Sequence, residues 1–429
     1  MKNKRFTILF AIVFMVSILL AFPAIGEEAG ATVVENPEVN TGYTATFTYI
    51  NENATNVRIS GSFYFYTAGD ENLMGQNYNL QEGENYLDYA IRPEQWEKGK
   101  NLYHVFDEKC VYDMENIGDG VWTISLNLPA GYYTYHYQVS YNDGKSYETI
   151  IDPANRARLA SMNLTERRSE IYVPFNAELH DPWLNMDYAT PLAPEQSGTC
   201  YHFTYKGVDG LIRPGMIYLP VGYDPDRAEP YKVLYACHGG AGNEQDFFLQ
   251  WHGDYITDNA IAEGIVEPFI VVTMNNKDIG WSDYDKLYDN QMNYLIPYVE
   301  EHYNVSKDPA DRAFCGLSMG GMTTSTYLCK DPTQFGYYGI FSGANCSAFP
   351  ELDDYSDFQN AHIYLGCGYC DNAYIAADLS SKIVGFAQVL DEHGIEYNNG
   401  DGYKVVNGGH DWYTWDQLLR DFYVTTLWK

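Results

Sequence analysis

The sequence predicts an all-β sandwich followed by a larger α/β domain built on a mostly parallel sheet. Three observations predict it. Over residues 41–153 apolar side chains alternate with polar ones in short runs cut by turn residues, the period-two pattern of strands with one buried face. From Cys200 onward, strand-like runs alternate with helix-length segments, as in a parallel sheet covered by helices. In this C-terminal region a strand-like run ends in Gly316-Leu317-Ser318-Met319-Gly320-Gly321 and leads at once into a helical segment.

At the start of the chain, Lys2, Lys4 and Arg5 precede an apolar run over residues 6–22 and the small residues Ala24 and Gly26. This is the pattern of a secretory signal peptide, residues 1–26, cleaved near Gly26, and the mature protein is expected to be secreted. No later stretch reaches the ~18 apolar residues of a membrane-spanning helix. Cleavage removes three of the 26 basic residues and none of the 58 acidic ones, taking the net charge from −32 to −35. Such a surface repels nucleic acid and anionic membranes, and neither is expected as a partner. The 40 tyrosines and 8 tryptophans either fill cores or stack on sugars and aromatic acids. Eight cysteines in an exported chain invite disulfides. Cys237 and Cys315 sit in apolar runs and read as buried hydrophobes, while pairing of Cys110 with Cys200, or of Cys329 with Cys346, stays open.

In the N-terminal region, residues 45–50 and 57–66 alternate as strands around Asn51-Glu52-Asn53. Asp119-Gly120 then opens a strand in which Trp122, Ile124 and Leu126 share a face, and Leu128-Pro129-Ala130-Gly131 makes the next turn. Tyr133, Tyr135, Tyr137 and Val139 alternate after it, and Asn142-Asp143-Gly144 closes a further hairpin. Together these suggest an immunoglobulin-like sandwich over residues 27–160, with 67–117 fitting poorly as an insertion. Residues 161–194 carry charges and prolines with little period, and read as a linker or wrapping segment.

Residues 195–429 form the α/β domain. Residues 201–205 and 212–219 read as a leading hairpin, 232–237 and 269–274 as buried strands, 254–263 and 289–302 as helices. Strands are expected at 312–315, 338–341, 363–365 and 403–406. A helix over 381–393 has Val384, Ala387 and Leu390 on one stripe and Gly394 as its stop. The run before Ser318 and the helix after it, closed by Asp331-Pro332, make a nucleophile elbow, the strand-turn-helix device of the α/β-hydrolase fold. Positions two before and two after the serine pass too close to their neighbours to carry a β-carbon, and Gly316 and Gly320 meet that demand.

Chain order in this fold is nucleophile, acid, histidine. Of ten histidines, His410 lies beyond the last expected strand on the glycine loop Asn407-Gly408-Gly409-His410-Asp411-Trp412, where it can serve as base to Ser318. Asp371 follows the strand 363–365 through Gly366-Cys367-Gly368-Tyr369-Cys370 and is the expected acid, with Asp378 and Asp401 as competitors. The oxyanion hole needs two backbone N–H groups: Met319, next after the nucleophile, and one from His238-Gly239-Gly240-Ala241-Gly242, with Gly240 the choice. No metal-ligand spacing competes, and no metal is expected.

The motifs His238-Gly239-Gly240-Ala241-Gly242, Gly316-Leu317-Ser318-Met319-Gly320-Gly321, Cys367-Gly368-Tyr369-Cys370-Asp371 and Gly408-Gly409-His410-Asp411-Trp412 resemble those of carbohydrate esterase family 1, the feruloyl and acetyl xylan esterases of the esterase D superfamily. Tyr369-Cys370 departs from the small or polar pair more usual there. The resemblance implies an α/β-hydrolase fold, a Ser318-His410-Asp371 triad, no cofactor, and esters of plant polysaccharide or small aromatic esters as substrates. Gly118-Asp119-Gly120-Val121-Trp122, Pro129 to Tyr135, and Ile151-Asp152-Pro153-Ala154-Asn155 look like the early-set domains of glycan-active enzymes, which implies either sugar binding or a packed spacer. Feruloyl esters of xylan are the first expectation, with Trp251, Trp281 and Trp412 as walls for an aromatic acid at the C-terminal edge of the sheet. Acetyl xylan, iron-chelator esters of the enterobactin type, and a non-catalytic glycan-binding role follow in that order.

Overall fold

The computed structural model describes residues 29–67, 90–100, 102–105, 111–155, 169–374, 380 and 382–429. The expected signal segment, Cys110 and Asp378 lie outside these residues.

In the N-terminal region the alternation is realised as two antiparallel sheets. One is formed by β1 (Gly30–Glu35), β2 (Tyr43–Ile50), β8 (Val121–Asn127) and β7 (Glu115–Gly118), in that order. The other is formed by β10 (Glu148–Ile150), β9 (Gly131–Ser140), β3 (Asn56–Gly61) and β6 (Val111–Asp113), with β11 (Ser169–Val173) also on β9. At ten residues β9 is long enough to hold two partners in succession, β10 opposite residues 137–139 and β11 opposite 131–135. Alternate residues of β9 send Tyr133, Tyr135 and Tyr137 into the shared core with Phe47 and Ile59. Their hydroxyls are satisfied there: Tyr135 donates to Asp152 Oδ2 at 2.6 Å, Tyr137 to the same oxygen at 3.2 Å, and Tyr133 to the Pro129 carbonyl at 2.8 Å. These tyrosines fill a core.

Two expectations need correction here. The strand expected over 57–66 breaks after Gly61, and β4 (Tyr64–Thr67) leaves to pair with β5 (Leu102–Val105). A β-carbon at Gly61 would stand 2.5 Å from the Thr134 carbonyl oxygen and 2.7 Å from the Phe63 ring, which marks how tightly the chain turns. The segment 161–194 is not all linker, because β11 adds to the N-terminal sheet through five paired residues. Residues 174–194 wrap: Leu184 enters the N-terminal core, while Met186 and Ala189 enter the core of the C-terminal region.

The C-terminal sheet has eight strands in the order β12 (Thr199–Lys206), β13 (Ile212–Leu219), β15 (Ile270–Met274), β14 (Val233–Cys237), β16 (Arg312–Leu317), β17 (Tyr337–Phe341), β18 (His362–Gly368) and β19 (Lys404–Val406). The β12–β13 and β13–β15 pairings are antiparallel, and every pairing from β15 to β19 is parallel. Period two divides each central strand between two cores: Val233, Tyr235 and Cys237 face one, Leu234 and Ala236 the other. On the first face pack α3 (Tyr284–Asn290), α4 (Ile296–His302), α5 (Met319–Lys330) and α6 (Ile383–Glu392). On the second pack α1 (Asp246–Leu249), α2 (Gly253–Ala262) and α7 (Trp412–Thr425).

The helix expected over 289–302 starts earlier, where Asp283 caps α3 by accepting the Lys286 N–H at 3.1 Å, and passes through a π turn at Gln291–Leu295 before α4. On α6 the buried stripe is Ile383, Phe386, Ala387 and Leu390, and Val384 is only half-buried. Cys329 is a free thiol, so the Cys329–Cys346 pairing is not formed. Among the described residues no helix is long and apolar enough to cross a membrane.

Candidate active site

The polypeptide leaves β16, reverses at Ser318 and enters α5 with Met319. Ser318 has φ 53° and ψ −118°, a conformation rare for a residue with a side chain, and this strain lifts the hydroxyl clear of the strand. The turn is over-determined by its surroundings. Ser318 N–H donates to the Phe341 carbonyl at 2.8 Å, and the Ser318 carbonyl accepts the Met322 N–H at 3.1 Å. A β-carbon at Gly316 would lie 2.5 Å from backbone atoms of Gly320, and one at Gly320 would lie 2.4 Å from the Cys237 carbonyl oxygen. Strand, helix and β14 therefore meet backbone to backbone around the serine.

The loops after β18 and β19 approach each other just as closely. A β-carbon at Gly368 would lie 2.4 Å from the Gly408 carbonyl oxygen. Tyr369 N–H donates to Val406 at 2.7 Å and Cys370 N–H to Gly408 at 2.9 Å. This pairing uses the backbone of Tyr369 and Cys370, so their side chains do not dictate it. It brings Asp371, wholly shielded from solvent, to the loop carrying His410. His410 Nδ1 lies 2.9 Å from Asp371 Oδ1, and His410 Nε2 lies 2.9 Å from Ser318 Oγ. The three residues expected at the site are thus brought together in one hydrogen-bonded row. Asp401 is exposed, ahead of β19 in the chain, and takes no part in it.

Asp411 ties the histidine loop to α7. Its carboxylate accepts the Gly409 N–H at 3.1 Å and, as helix cap, the Thr414 N–H at 2.9 Å. Burial pushes its carboxyl up from the usual range, these two N–H groups pull it down, and the nearby Asp371 charge adds to the rise.

Met319 opens α5, so its N–H has no partner within the helix and points from the positive end of the helix dipole. The glycine loop after β14 is pressed against this turn. A β-carbon at Gly239 would stand 3.3 Å from Ser318 Cβ, and one at Gly240 would stand 2.8 Å from Met319 Sδ. His238 anchors that loop. Its Nε2 can only accept from the Asn276 N–H at 3.2 Å, and its Nδ1 can only donate to the Gly239 carbonyl at 2.8 Å, so the ring is neutral with the proton on Nδ1. Burial accordingly pushes its pKa down to about 4. The sequence marked His238 only as a member of the glycine motif.

The tryptophans separate. Trp281 is half-buried and meets the His238 ring edge-on at 5.2 Å. Trp412 is half-buried and meets Trp415 at 4.8 Å, and Trp415 in turn meets the His410 ring at 5.1 Å. Trp251 does not wall the site. It is 1% exposed and packs in the core against Phe247 and Phe341. Among the described residues no cluster of three or more His, Cys, Asp and Glu side chains is placed to hold a metal ion.

Comparisons with known proteins agree with this architecture. Over 267 residues the chain is 28% identical to an endo-1,4-beta-xylanase/feruloyl esterase of Xylanibacter ruminicola, covering 59% of this chain and 34% of that protein. It is 35% identical over 163 residues to endo-1,4-beta-xylanase Y of Acetivibrio thermocellus, covering 34% of this chain and 14% of that one. The chain therefore spans about a third or less of the length of these curated relatives. The crystal structure of the enterobactin esterase from Shigella flexneri, determined in the presence of 2,3-di-hydroxy-N-benzoyl-serine, superposes with a TM-score of 0.53 at 14% identity, covering 92% of this chain and 96% of that one. At that identity the likeness is one of fold. Residues 212–423, which run from β13 into α7 and include Ser318, Asp371 and His410, match the family described as "Putative esterase", and the C-terminal region of the chain is an esterase-type α/β-hydrolase fold.

Proposed function

We propose that the chain is an exported serine esterase in which His410 takes the proton of Ser318 and Ser318 attacks the carbonyl carbon of an ester. The observation that carries this reading is the row Asp371–His410–Ser318, two contacts of 2.9 Å ending on a strained serine at the start of α5. Asp371 holds the Nδ1–H tautomer of His410 and stabilises the imidazolium that forms. The Met319 and Gly240 N–H groups hold the carbonyl oxygen as it gains charge. His410 then returns the proton to the departing alcohol. Water, activated by the same imidazole, releases the acid from Ser318. An intact row of this kind argues against a purely glycan-binding role.

Feruloyl esters of plant xylan are the proposed substrates. A curated relative aligned over 267 residues is named an endo-1,4-beta-xylanase/feruloyl esterase. Trp281, on the segment between β15 and α3, abuts His238 of the glycine loop, and Trp412, the first residue of α7, packs on Trp415, which abuts His410. Acetyl esters of xylan come second. A third reading, hydrolysis of iron-chelator esters, is favoured by the fold likeness to the enterobactin esterase across nearly the whole chain. In this proposal the N-terminal sheets are an immunoglobulin-like, early-set domain that extends to β11, and residues 1–26 are its removed signal. Hydrolysis rates on methyl ferulate, acetylated xylan, a small acetyl ester and a cyclic catecholate triester test the assignment. Fastest turnover of methyl ferulate supports it, and activity confined to the triester or to acetyl groups replaces it with the corresponding alternative.

A further inference from the structure

Outside the proposed catalytic groups lies a buried charged cluster that the reaction does not use. His252, at the start of α2, has Nδ1 2.7 Å from Asp416 Oδ2 on α7 and Nε2 3.0 Å from Glu170 Oε1 on β11. The ring is 3% exposed and stacks on Tyr132 of β9 at 4.4 Å between centroids. Both neighbours are carboxylates, so both ring nitrogens donate and His252 is an imidazolium. Burial pushes its pKa down, but the charges and hydrogen bonds of Glu170 and Asp416 outweigh it and hold the ring well above the usual histidine range. Three elements, from the N-terminal sheet, from α2 and from α7, meet on one ring.

The value of this cluster is in where it leads. Asp416 stands at the start of the second turn of α7, and the first turn is fastened to His410. Asp411 bonds Gly409 N–H on one side of His410 and Thr414 N–H in the helix, and the Trp415 ring abuts the imidazole at 5.1 Å. A second tie from the wrapping segment acts on the same turn: Tyr413 donates its hydroxyl proton to the Trp183 carbonyl at 2.9 Å. These ties from the N-terminal side reach α2 and α7, the helix next to His410, rather than the elbow that carries Ser318.

We propose that Glu170, His252 and Asp416 form a positioning bridge through which the N-terminal sheet holds α7, and with it His410, in hydrogen-bonding range of Ser318. The proposal rests on the reading of His410 as the base. It makes the N-terminal sheets a member of the catalytic framework and not a detachable spacer. A shift of ~1 Å in a catalytic group costs up to ~10²-fold in rate, so a modest slackening of α7 is measurable.

The test uses Glu170→Ala and Glu170→Gln in the full chain. The Glu170 side chain is 29% exposed, so neither change empties a sealed cavity, and Asp416 still pairs with His252. Glutamine keeps an oxygen for the Nε2–H. The Ala variant is expected to lower kcat on methyl ferulate by ~5-fold or more with KM within about twofold, and the Gln variant to recover most of the loss. In ¹⁵N-histidine NMR the His410 signals, identified through His410→Gln, should shift or broaden in the Ala variant and return in the Gln variant. Unchanged His410 signals in Glu170→Ala overturn the bridge, whether or not the melting temperature falls. If the wild type hydrolyses no ester, the esterase reading fails, while the NMR comparison still decides the bridge.

Discussion

His410 Nδ1 lies 2.9 Å from Asp371 Oδ1, an oxygen that also accepts the Ala373 N–H at 2.7 Å. The Ala373 N–H can only donate, so in Asp371→Asn it holds the amide oxygen, not the NH₂ group, toward the imidazole. The His410 tautomer is then kept and only the charge is lost. Charge-assisted hydrogen bonds are about twice as strong as neutral ones, so Asp371→Asn should lower kcat by ~10- to 10²-fold, and Asp371→Ala by considerably more. Equal losses in the two variants would show that the amide turns its nitrogen to the histidine. Single-turnover rates at pH 7 make the comparison.

His238 gives a pH dependence of stability. Its pKa is lowered by burial from the usual 6.5 to about 4 in the folded protein, so between these values the unfolded chain binds a proton that the native one does not. Stability contributed by the neutral ring is complete above about pH 6.5 and is lost as pH falls toward 4, by up to ~3 kcal/mol. His238→Asn, which keeps a donor near the Nδ1 position and cannot titrate, should lose less melting temperature than the wild type over that interval. Parallel melting curves from pH 7 to 4 would contradict the assignment of a neutral anchor.

The glycines of the elbow predict a stability effect that needs no enzymology. In Gly320→Ala the new methyl would stand 2.4 Å from the Cys237 carbonyl oxygen and 2.6 Å from that of His238, and neither backbone can retreat without parting β14 from α5. Overpacking of this kind costs ~1–3 kcal/mol or more, which in a chain of this size is a fall of several degrees in melting temperature. Calorimetry on Gly320→Ala checks it. Glycine at 264, where a β-carbon meets nothing within 4 Å, supplies the control through Gly264→Asn, suited to its φ of 70°.

Local sterics made the elbow legible in the sequence, where a serine, its flanking glycines and the start of a helix stand close together. Chain order singled out His410 and Asp371 as the expected base and acid, and the structure places both in one hydrogen-bonded row with Ser318. What escaped was set by partners distant in sequence. Ser169–Val173 does alternate, with Ser169, Ile171 and Val173 buried, but the charged residues before it hid the strand, and its partner β9 lies some thirty residues earlier. Trp251 follows Phe247 and Phe248, an aromatic run that signals a core more than a ligand wall, and the structure buries all three. Nothing in the sequence couples Glu170, His252 and Asp416, whose separations are 82 and 164 residues.

The proposed preference for feruloyl esters is tested at the two half-buried tryptophans, Trp281 and Trp412. If the ring of Trp281 or Trp412 stacks on a cinnamoyl group, its removal takes away contact that an acetyl group never made. Such contacts are worth ~0.5–1.5 kcal/mol beyond area burial, so in at least one of Trp281→Ala and Trp412→Ala kcat/KM for methyl ferulate falls several-fold while that for a small acetyl ester changes little. Equal losses on the two esters would make both tryptophans supports of the loops they stand on.

If Ser318, activated by His410, is the group acylated during ester hydrolysis, Ser318→Ala removes the nucleophile and little else. The hydroxyl is 2.9 Å from His410 Nε2 and its removal disturbs none of the backbone hydrogen bonds that shape the turn. Measured on methyl ferulate, kcat/KM should fall by about 10³-fold or more while the melting temperature stays close to that of the wild type. Turnover near the wild-type rate in the folded variant would mean that Ser318 is not the nucleophile.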